Sequence, residues 1–338
     1  MRLGPAIAVA LLLVAAPVAA ETPPSAWERA RDPEAALAYD VHEQVQRRLA
    51  LLMADEESIP RGSDRERDLR AVLPILQHAQ AETSKSALLR FDLGFVYMAL
   101  KNYPRAAEIY RSAVRDFPDH PGTEQGWLRL ALACGHLGDN ACERAAYTRV
   151  LELQTEGFAR ITPSLNLAET QMHLGNLREA VEGYREVVRL SGHYPMRETG
   201  PLALWGLAVA LDRSGDRVEA ERAARLAADV EHLSGKSKLL HDVETAFFEP
   251  AWEISWYDAI GFVVQAKAAP TARDAARLWA EAEKSYGDFV KRGTPANDRW
   301  APIAKARLAQ VQLERKRAEE RAAREPAPRR TEAGDVTL

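Results

Sequence analysis

The sequence predicts an all-α fold built from stacked helical hairpins. Four segments superpose with apolar residues at helical spacing, and a Gly-Asp, Gly-Asn or Lys-Asn turn divides each of them. A small residue recurs in the first helix of each segment, at intervals of 37, 37 and 40 positions. These residues are Gly94, Ala131, Ala168 and Ala208. Such a period is typical of helical repeats, in which neighbouring hairpins share one core because a single hairpin cannot bury both faces.

The amino terminus has the pattern of an export signal. Arg2 precedes an apolar run from Ala6 to Ala16, and small residues follow up to Ala20. We therefore predict a cleavable signal peptide over residues 1–20 and a periplasmic or otherwise extracytoplasmic location. An uncleaved anchor is the alternative, but the uncharged stretch is barely long enough to span a bilayer and ends in a cleavage-like sequence. No later apolar run reaches membrane length, so we expect no transmembrane segment in the mature chain.

Residues 21–83 are predicted to form a linker and N-terminal capping helices. An amphipathic stretch begins at Pro33, and Ser63 and Glu66 have capping-box spacing before a second one. Pro74 should kink or restart that second helix because proline cannot continue the hydrogen-bond ladder. We interpret the pair as a degenerate hairpin that covers one end of the stack.

Residues 84–230 are predicted to hold the four hairpins. Alanines of the second helices should face the small residues of the first, and tyrosines should fill the gap toward the next hairpin. The alanines are Ala106, Ala180 and Ala220, and the tyrosines are Tyr110, Tyr147 and Tyr184.

These segments resemble the tetratricopeptide repeat (TPR), whose pattern is W-x2-L-G-x2-Y, then A-x3-F-x2-A, then P. The first segment carries Leu93-Gly94, Tyr97, Ala106, Tyr110, Ala113 and Pro118. The departures are Arg90 in place of the tryptophan, Glu143 in place of an alanine and Ala224 in place of the aromatic residue. The junction from Phe117 to Pro121 is similar to junctions of bacterial envelope TPR proteins in outer-membrane assembly, Tol-Pal-linked and pilus systems.

The resemblance implies a TPR superhelix that acts as a non-enzymatic scaffold for protein–protein interactions in the cell envelope. First helices line the concave groove of such proteins, and another protein or a peptide binds there. The implied partner-binding residues are Phe91, Phe95, Met98, Leu128, Leu132, Met172, Trp205 and Val209. Because they are largely apolar, the groove should accept an amphipathic or hydrophobic segment, or one of the protein's own flanking helices.

Residues 231–324 are predicted to form divergent TPR-like helices, and residues 325–338 a disordered tail. A first helix from Phe247 to Ala268 should pair with a second from Asp274 to Val290, followed by a closing helix from Arg299 to Arg324. Trp252 and Trp256 should share one helix face in a packed junction. The alternative function is an enzyme or an enzyme-accessory subunit with a polar pocket near this junction, around His241 and Glu244.

Other functional chemistry has little support in the sequence. The chain has 45 basic and 49 acidic residues, a balance that argues against nucleic-acid binding. Enzyme and nucleotide-binding motifs are absent, so we expect no cofactor. His136 and His173 precede successive turns, but no further ligand accompanies them, so we expect no metal. Cys134 and Cys142 flank one turn, as a disulfide or as two buried thiols.

Overall fold

The computed structural model of the chain describes residues 23–52, 64–155, 157–192, 199–242 and 250–325. All regular secondary structure within these ranges is α-helical. The predicted signal peptide and residues 326–338 of the predicted tail lie outside them. Among the described helices, none combines the length and the apolarity that crossing a bilayer requires.

The chain divides into two compact units. The first comprises residues 1–210 and 238–250, and the second comprises residues 211–237 and 251–338. The division falls inside one helix, whereas the sequence placed the end of the repeats at residue 230. It falls earlier because the last helix of the predicted fourth hairpin packs against the helix that begins at Ile254.

Four helices precede the hairpins in the first unit. They are α1 (Ala26–Arg31), α2 (Pro33–Leu52), α3 (Arg65–Arg70) and α4 (Leu73–His78). The Asp64 carboxylate caps α3 by accepting a hydrogen bond from the Arg67 backbone N–H at 3.1 Å. The predicted cap, Ser63, is one residue too early and lies outside the described residues. Pro74 stands in the first turn of α4, so the prediction that it restarts a helix is confirmed.

The predicted hairpins correspond to eight consecutive helices. They are α5 (Ala87–Ala99), α6 (Tyr103–Asp116), α7 (Thr123–His136), α8 (Asn140–Leu153), α9 (Gly157–Leu174), α10 (Leu177–Ser191), α11 (Thr199–Ser214) and α12 (Arg217–Val230). A residue of positive φ ends each first helix: Lys101 (58°), Gly138 (67°), Gly175 (87°) and Gly215 (95°). After three of these turns an Asx side chain caps the second helix, namely Asn102, Asp139 and Asp216. The predicted turns are therefore confirmed.

Small residues let these helices approach closely, at the predicted Gly94 and at Gly206, which the sequence did not single out. From α5 to α10, each helix packs against the next. A Cβ added to Gly206 would lie 2.3 Å from the ring of Tyr184, which reaches forward from the preceding helix. Tyr147 also reaches forward, and its hydroxyl accepts a hydrogen bond from Asn166 at 2.8 Å. Tyr110 differs from the prediction because its ring also packs on Gly94 of its own hairpin.

The remaining helices are α13 (Lys238–Asp242), which belongs to the first unit, and α14 (Ile254–Ala268), α15 (Ala272–Gly293) and α16 (Ala301–Ala322), which belong to the second. In the second unit, α14 packs against α12 and α15, and α15 packs against α16. The three predicted C-terminal helices are thus present, although α14 begins later than Phe247, in a region where residues 243–249 are outside the description.

Candidate functional site

The predicted partner-binding residues are mostly core residues. Seven of the eight are at most 6% exposed, and Leu132 is half-buried. The seven are Phe91, Phe95, Met98, Leu128, Met172, Trp205 and Val209. The expectation that they present an open contact surface is therefore wrong for this structure, because their side chains already pack against other parts of the chain.

In the first hairpin, α2 supplies that packing. Val45 and Leu49 of α2 belong to the same buried cluster as Leu93 and Phe95 of α5. The second alternative offered by the sequence, a flanking helix of the protein itself on the first-helix face, therefore holds at this end of the chain. Phe91, Met98 and Leu128 belong to the neighbouring cluster that joins the first two hairpins.

A buried carboxylate fixes α2 on α5. Asp92 is 2% exposed, and its two oxygens contact His42 Nδ1 at 2.7 Å and Gln46 Nε2 at 2.6 Å. His42 and Gln46 lie one helical turn apart on α2. Burial raises the pKa of Asp92, and the contact with His42 opposes the rise. An unpaired carboxylate buried at this depth would be strongly destabilising, so a placement of α2 that separated Asp92 from His42 and Gln46 is disfavoured.

The two cysteines join the helices of the second hairpin. Cys134 of α7 and Cys142 of α8 form a disulfide, with Cα atoms 5.9 Å apart. Asp139 lies beside them, and the three residues are the only cluster of potential metal ligands within the described ranges. Because both sulfurs are engaged in the disulfide, they are not available to a metal in this form.

The two histidines that precede successive turns have different neighbours. His136 stacks on Tyr103, with ring centroids 4.0 Å apart, and burial lowers its pKa. His173 lies 3.5 Å from Glu169 on its own helix. Each imidazole thus has a local structural partner.

The tryptophans of the predicted junction point to different partners. Trp252 precedes α14, so the prediction that it shares a helix face with Trp256 is wrong. Its indole N–H donates to Asp298 at 2.9 Å. Trp256 is fully buried, donates to Asp212 at 3.0 Å and packs edge-on against Phe289. The packed character of the junction holds for these residues, while Glu244 lies outside the described ranges.

A buried ion pair lies next to Trp256. Arg213 Nη2 is 2.6 Å from Glu253 Oε1, and both side chains are at most 1% exposed. The Arg213 guanidinium carbon lies over the rings of Trp256 and Trp300, at 4.5 and 4.9 Å from their centroids. The face of an aromatic ring attracts a cation at this distance. The pair therefore ties the end of α11 to the segments before α14 and α16.

The second unit also contains a cavity of about 210 Å³ among α12, α14, α15 and α16. Its buried floor is mainly apolar and includes Ala220, Ile260, Val263, Trp279 and Val311, and the buried Tyr286 and Asp212 add a hydroxyl and a carboxyl group. The lining residues of each helix stand at i, i+3, i+4 or i+7 spacing, so each helix directs one stripe of side chains into the cavity.

Charged side chains surround this apolar floor. Arg307 Nε donates to Asp212 at 2.7 Å, and Lys267 Nζ contacts Glu221 at 2.5 Å. Burial raises the pKa of Asp212, and Arg307 opposes the rise. Arg217 is exposed at the rim, and no carboxylate of the described residues forms an ion pair with its guanidinium.

Sequence reasoning missed Asp92, Arg213 and the Asp212–Arg307 pair. Asp92 stands inside an apolar run, and Asp212-Arg213 ends the uncharged stretch from Gly200 to Leu211. A charged residue within or directly after an apolar stretch was the one signal in the sequence that could have indicated these buried polar contacts. The partners of Asp92, Asp212 and Arg213 are 40 to 95 positions away in the chain, and no local pattern indicates them.

The hairpins, their turns and the close helix contacts define a helical-repeat protein. A tetratricopeptide repeat family model matches residues 89–120, which cover most of α5 and α6. The chain therefore contains a tetratricopeptide repeat at residues 89–120, within a stack of helical hairpins. Proteins of this class are in general interaction scaffolds rather than enzymes.

Among solved structures, the chain is similar to a Rap protein crystallised in complex with competence and sporulation factor, with 12% sequence identity and a TM-score of 0.43. The alignment covers 84% of this chain and 76% of that chain. No curated protein matches the sequence.

Proposed function

We propose that this protein is exported from the cytoplasm and acts in the cell envelope as a non-enzymatic scaffold that binds a segment of another protein. The observation that carries the proposal is the TPR repeat at residues 89–120 within a stack of helical hairpins. Export is supported by Arg2, the apolar run that follows it and the small residues up to Ala20.

The partner surface is proposed to lie outside the predicted first-helix residues. Phe91 and Phe95 are each 6% exposed, so a glutamate at either position would disrupt the core instead of testing an interface. Exposed positions are better probes. Gln310 lies at the rim of the cavity of the second unit, whereas Arg321 is exposed nearer the end of the same helix.

Two experiments test this function. Cell fractionation with N-terminal sequencing should place the chain in the envelope fraction with Glu21 as its first residue; a cytoplasmic chain that retains Met1 contradicts export. Photo-crosslinkers at Gln310 and Arg321, introduced separately into the full chain in cells, should trap one protein reproducibly at Gln310 and not at Arg321. The absence of any specific adduct from a panel of exposed positions contradicts the scaffold.

The alternative, an enzyme site in the C-terminal helices, has less support from the geometry. Asp212, the most buried carboxylate of the cavity, is engaged by Arg307 and Trp256. A general acid or base must reach substrate, and this carboxylate is already committed to structural partners.

A further inference from the structure

We propose that the cavity of the second unit is the anchor site for the partner. It accepts one large apolar side chain of the partner segment, and a carboxylate beside that side chain pairs with Arg217. This inference rests on the proposed scaffold function and names the chemistry of the segment that the scaffold binds.

The size of the cavity favours a side chain over a free small molecule. Sites for drug-sized ligands generally measure roughly 300–1,000 Å³, whereas this cavity measures about 210 Å³. Protein interfaces concentrate their binding energy in a few large side chains that enter such pockets. A leucine, methionine or phenylalanine side chain is the appropriate occupant.

The floor of the cavity supplies the apolar contact. Ile260, Val263, Trp279 and Val311 are each at most 9% exposed, and they come from three different helices. The packing of α14 on α15 and of α15 on α16 holds these helices together. The floor is therefore already formed, and a partner does not have to organise it on binding.

The rim supplies the charge preference. Asp212 is paired with Arg307, Glu221 with Lys267, and Glu314 with Arg317. Within each pair the opposite charges offset each other. Arg217 forms no ion pair among the described residues and acts on Asp212 only at longer range, so its exposed guanidinium is the rim cation open to a further partner. An acidic group of the partner next to the apolar side chain complements it, since opposite charges across an interface provide specificity.

Selection from a random peptide library tests this site without knowledge of the natural partner. The full chain is immobilised and panned with phage-displayed dodecapeptides, and enriched peptides are synthesised with a fluorescent label. Their Kd is measured by anisotropy on the wild-type protein and on three variants. Arg217→Glu reverses the rim charge, Val263→Phe fills the cavity, and Arg222→Glu is the matched control on the exposed face of α12.

We expect the enriched peptides to share a bulky apolar residue next to Asp or Glu. Their Kd should rise at least tenfold on Arg217→Glu and Val263→Phe, and less than twofold on Arg222→Glu. Because Arg217 is exposed, its variant keeps the test valid even if Val263→Phe fails to fold. Equal binding to Arg217→Glu and wild type overturns the anchor site while leaving a peptide-binding scaffold in place. The failure of any peptide to enrich contradicts both the site and the proposed function.

Discussion

The hairpin helices of the first unit, from α5 to the part of α11 that ends at residue 210, and the second unit solve the same packing problem with different residues. In the hairpins, small residues such as Gly94 and Gly206 receive the rings of Tyr110 and Tyr184. In the second unit, tryptophans and buried charges dominate, as in the contact of Arg213 with Glu253. The hairpins therefore join neighbours along the chain, whereas the second unit joins segments that are far apart in sequence.

The difference shows how far a repeat can vary once it stops repeating. A hairpin that must accept an identical neighbour keeps small and aromatic residues in phase, because each contact recurs in the next copy. A terminal region has no next copy, and unique pairs can replace the repeating contacts. A buried ion pair suits that role because it tolerates only one arrangement, although it adds little net stability.

The largest expected effect is in the second unit. Arg213→Met leaves the Glu253 carboxylate buried without its cation, which should lower the free energy of unfolding by about 3–5 kcal/mol. Urea unfolding followed by tryptophan fluorescence measures the change. The double variant Arg213→Met/Glu253→Leu should recover most of the loss, since it removes both charges. If the single variant is as stable as wild type, the pair does not organise this unit.

The disulfide should have the next largest effect, within the hairpins. Its closed loop spans eight positions, so removing it by Cys134→Ala/Cys142→Ala should cost about 2–3 kcal/mol. Thermal unfolding with and without a dithiol reductant measures this, and the reductant should not affect the double variant. Two free thiols in protein denatured without reductant would contradict the bond itself.

Substituting one glycine in each region by alanine distinguishes the two kinds of packing. Gly206→Ala places a Cβ 2.3 Å from Tyr184 and should destabilise by about 1–3 kcal/mol. Gly287→Ala in α15 meets no atom within 4 Å and should stabilise by about 0.5–1 kcal/mol, because alanine is the better helix former. Chemical unfolding of both variants provides the comparison. Equal and favourable effects would show that the tyrosine packing does not depend on the glycine.

One further effect depends on pH and concerns a titratable group inside the regular region. Glu143 replaces a TPR alanine, and burial raises its pKa from 4.5 to about 8, against a contact with Thr170. Between these values the folded chain holds a proton that the unfolded chain has released, so stability should fall as the pH rises through this window.

Glu143→Gln removes that titration. At pH 8 the variant should be more stable than wild type, and the difference should disappear as the pH falls to about 4.5, where Glu143 is protonated in the folded chain. Thermal unfolding as a function of pH measures the difference. A constant offset across the window would assign the effect to packing instead of ionisation.

The hairpin region was predictable from sequence because its determinants are local. The interval between small residues and the turn motifs located all four hairpins, and Lys101 adopts the positive φ that glycine takes at the other turns. Phe95 was predicted to line an open groove, but α2 packs against it. The exposure of a side chain depends on every element that packs there, and α2 is separated from α5 by more than thirty residues, so no local pattern indicates the contact. The start of α3 was predicted one residue too early, because serine and aspartate are both favoured N-cap residues and the local sequence does not choose between Ser63 and Asp64.

The sequence by itself determined the class of fold, the phase of the repeats and the helices of both units, because helical periodicity, turns and close contacts are written in nearby residues. The tertiary structure decided which apolar residues stay accessible, which charges pair and where a cavity opens. Asp92 with His42, and Asp212 with Arg307, meet only after distant helices have packed. The same packing places α2 on the first-helix face of the first hairpin and leaves the cavity among α12, α14, α15 and α16.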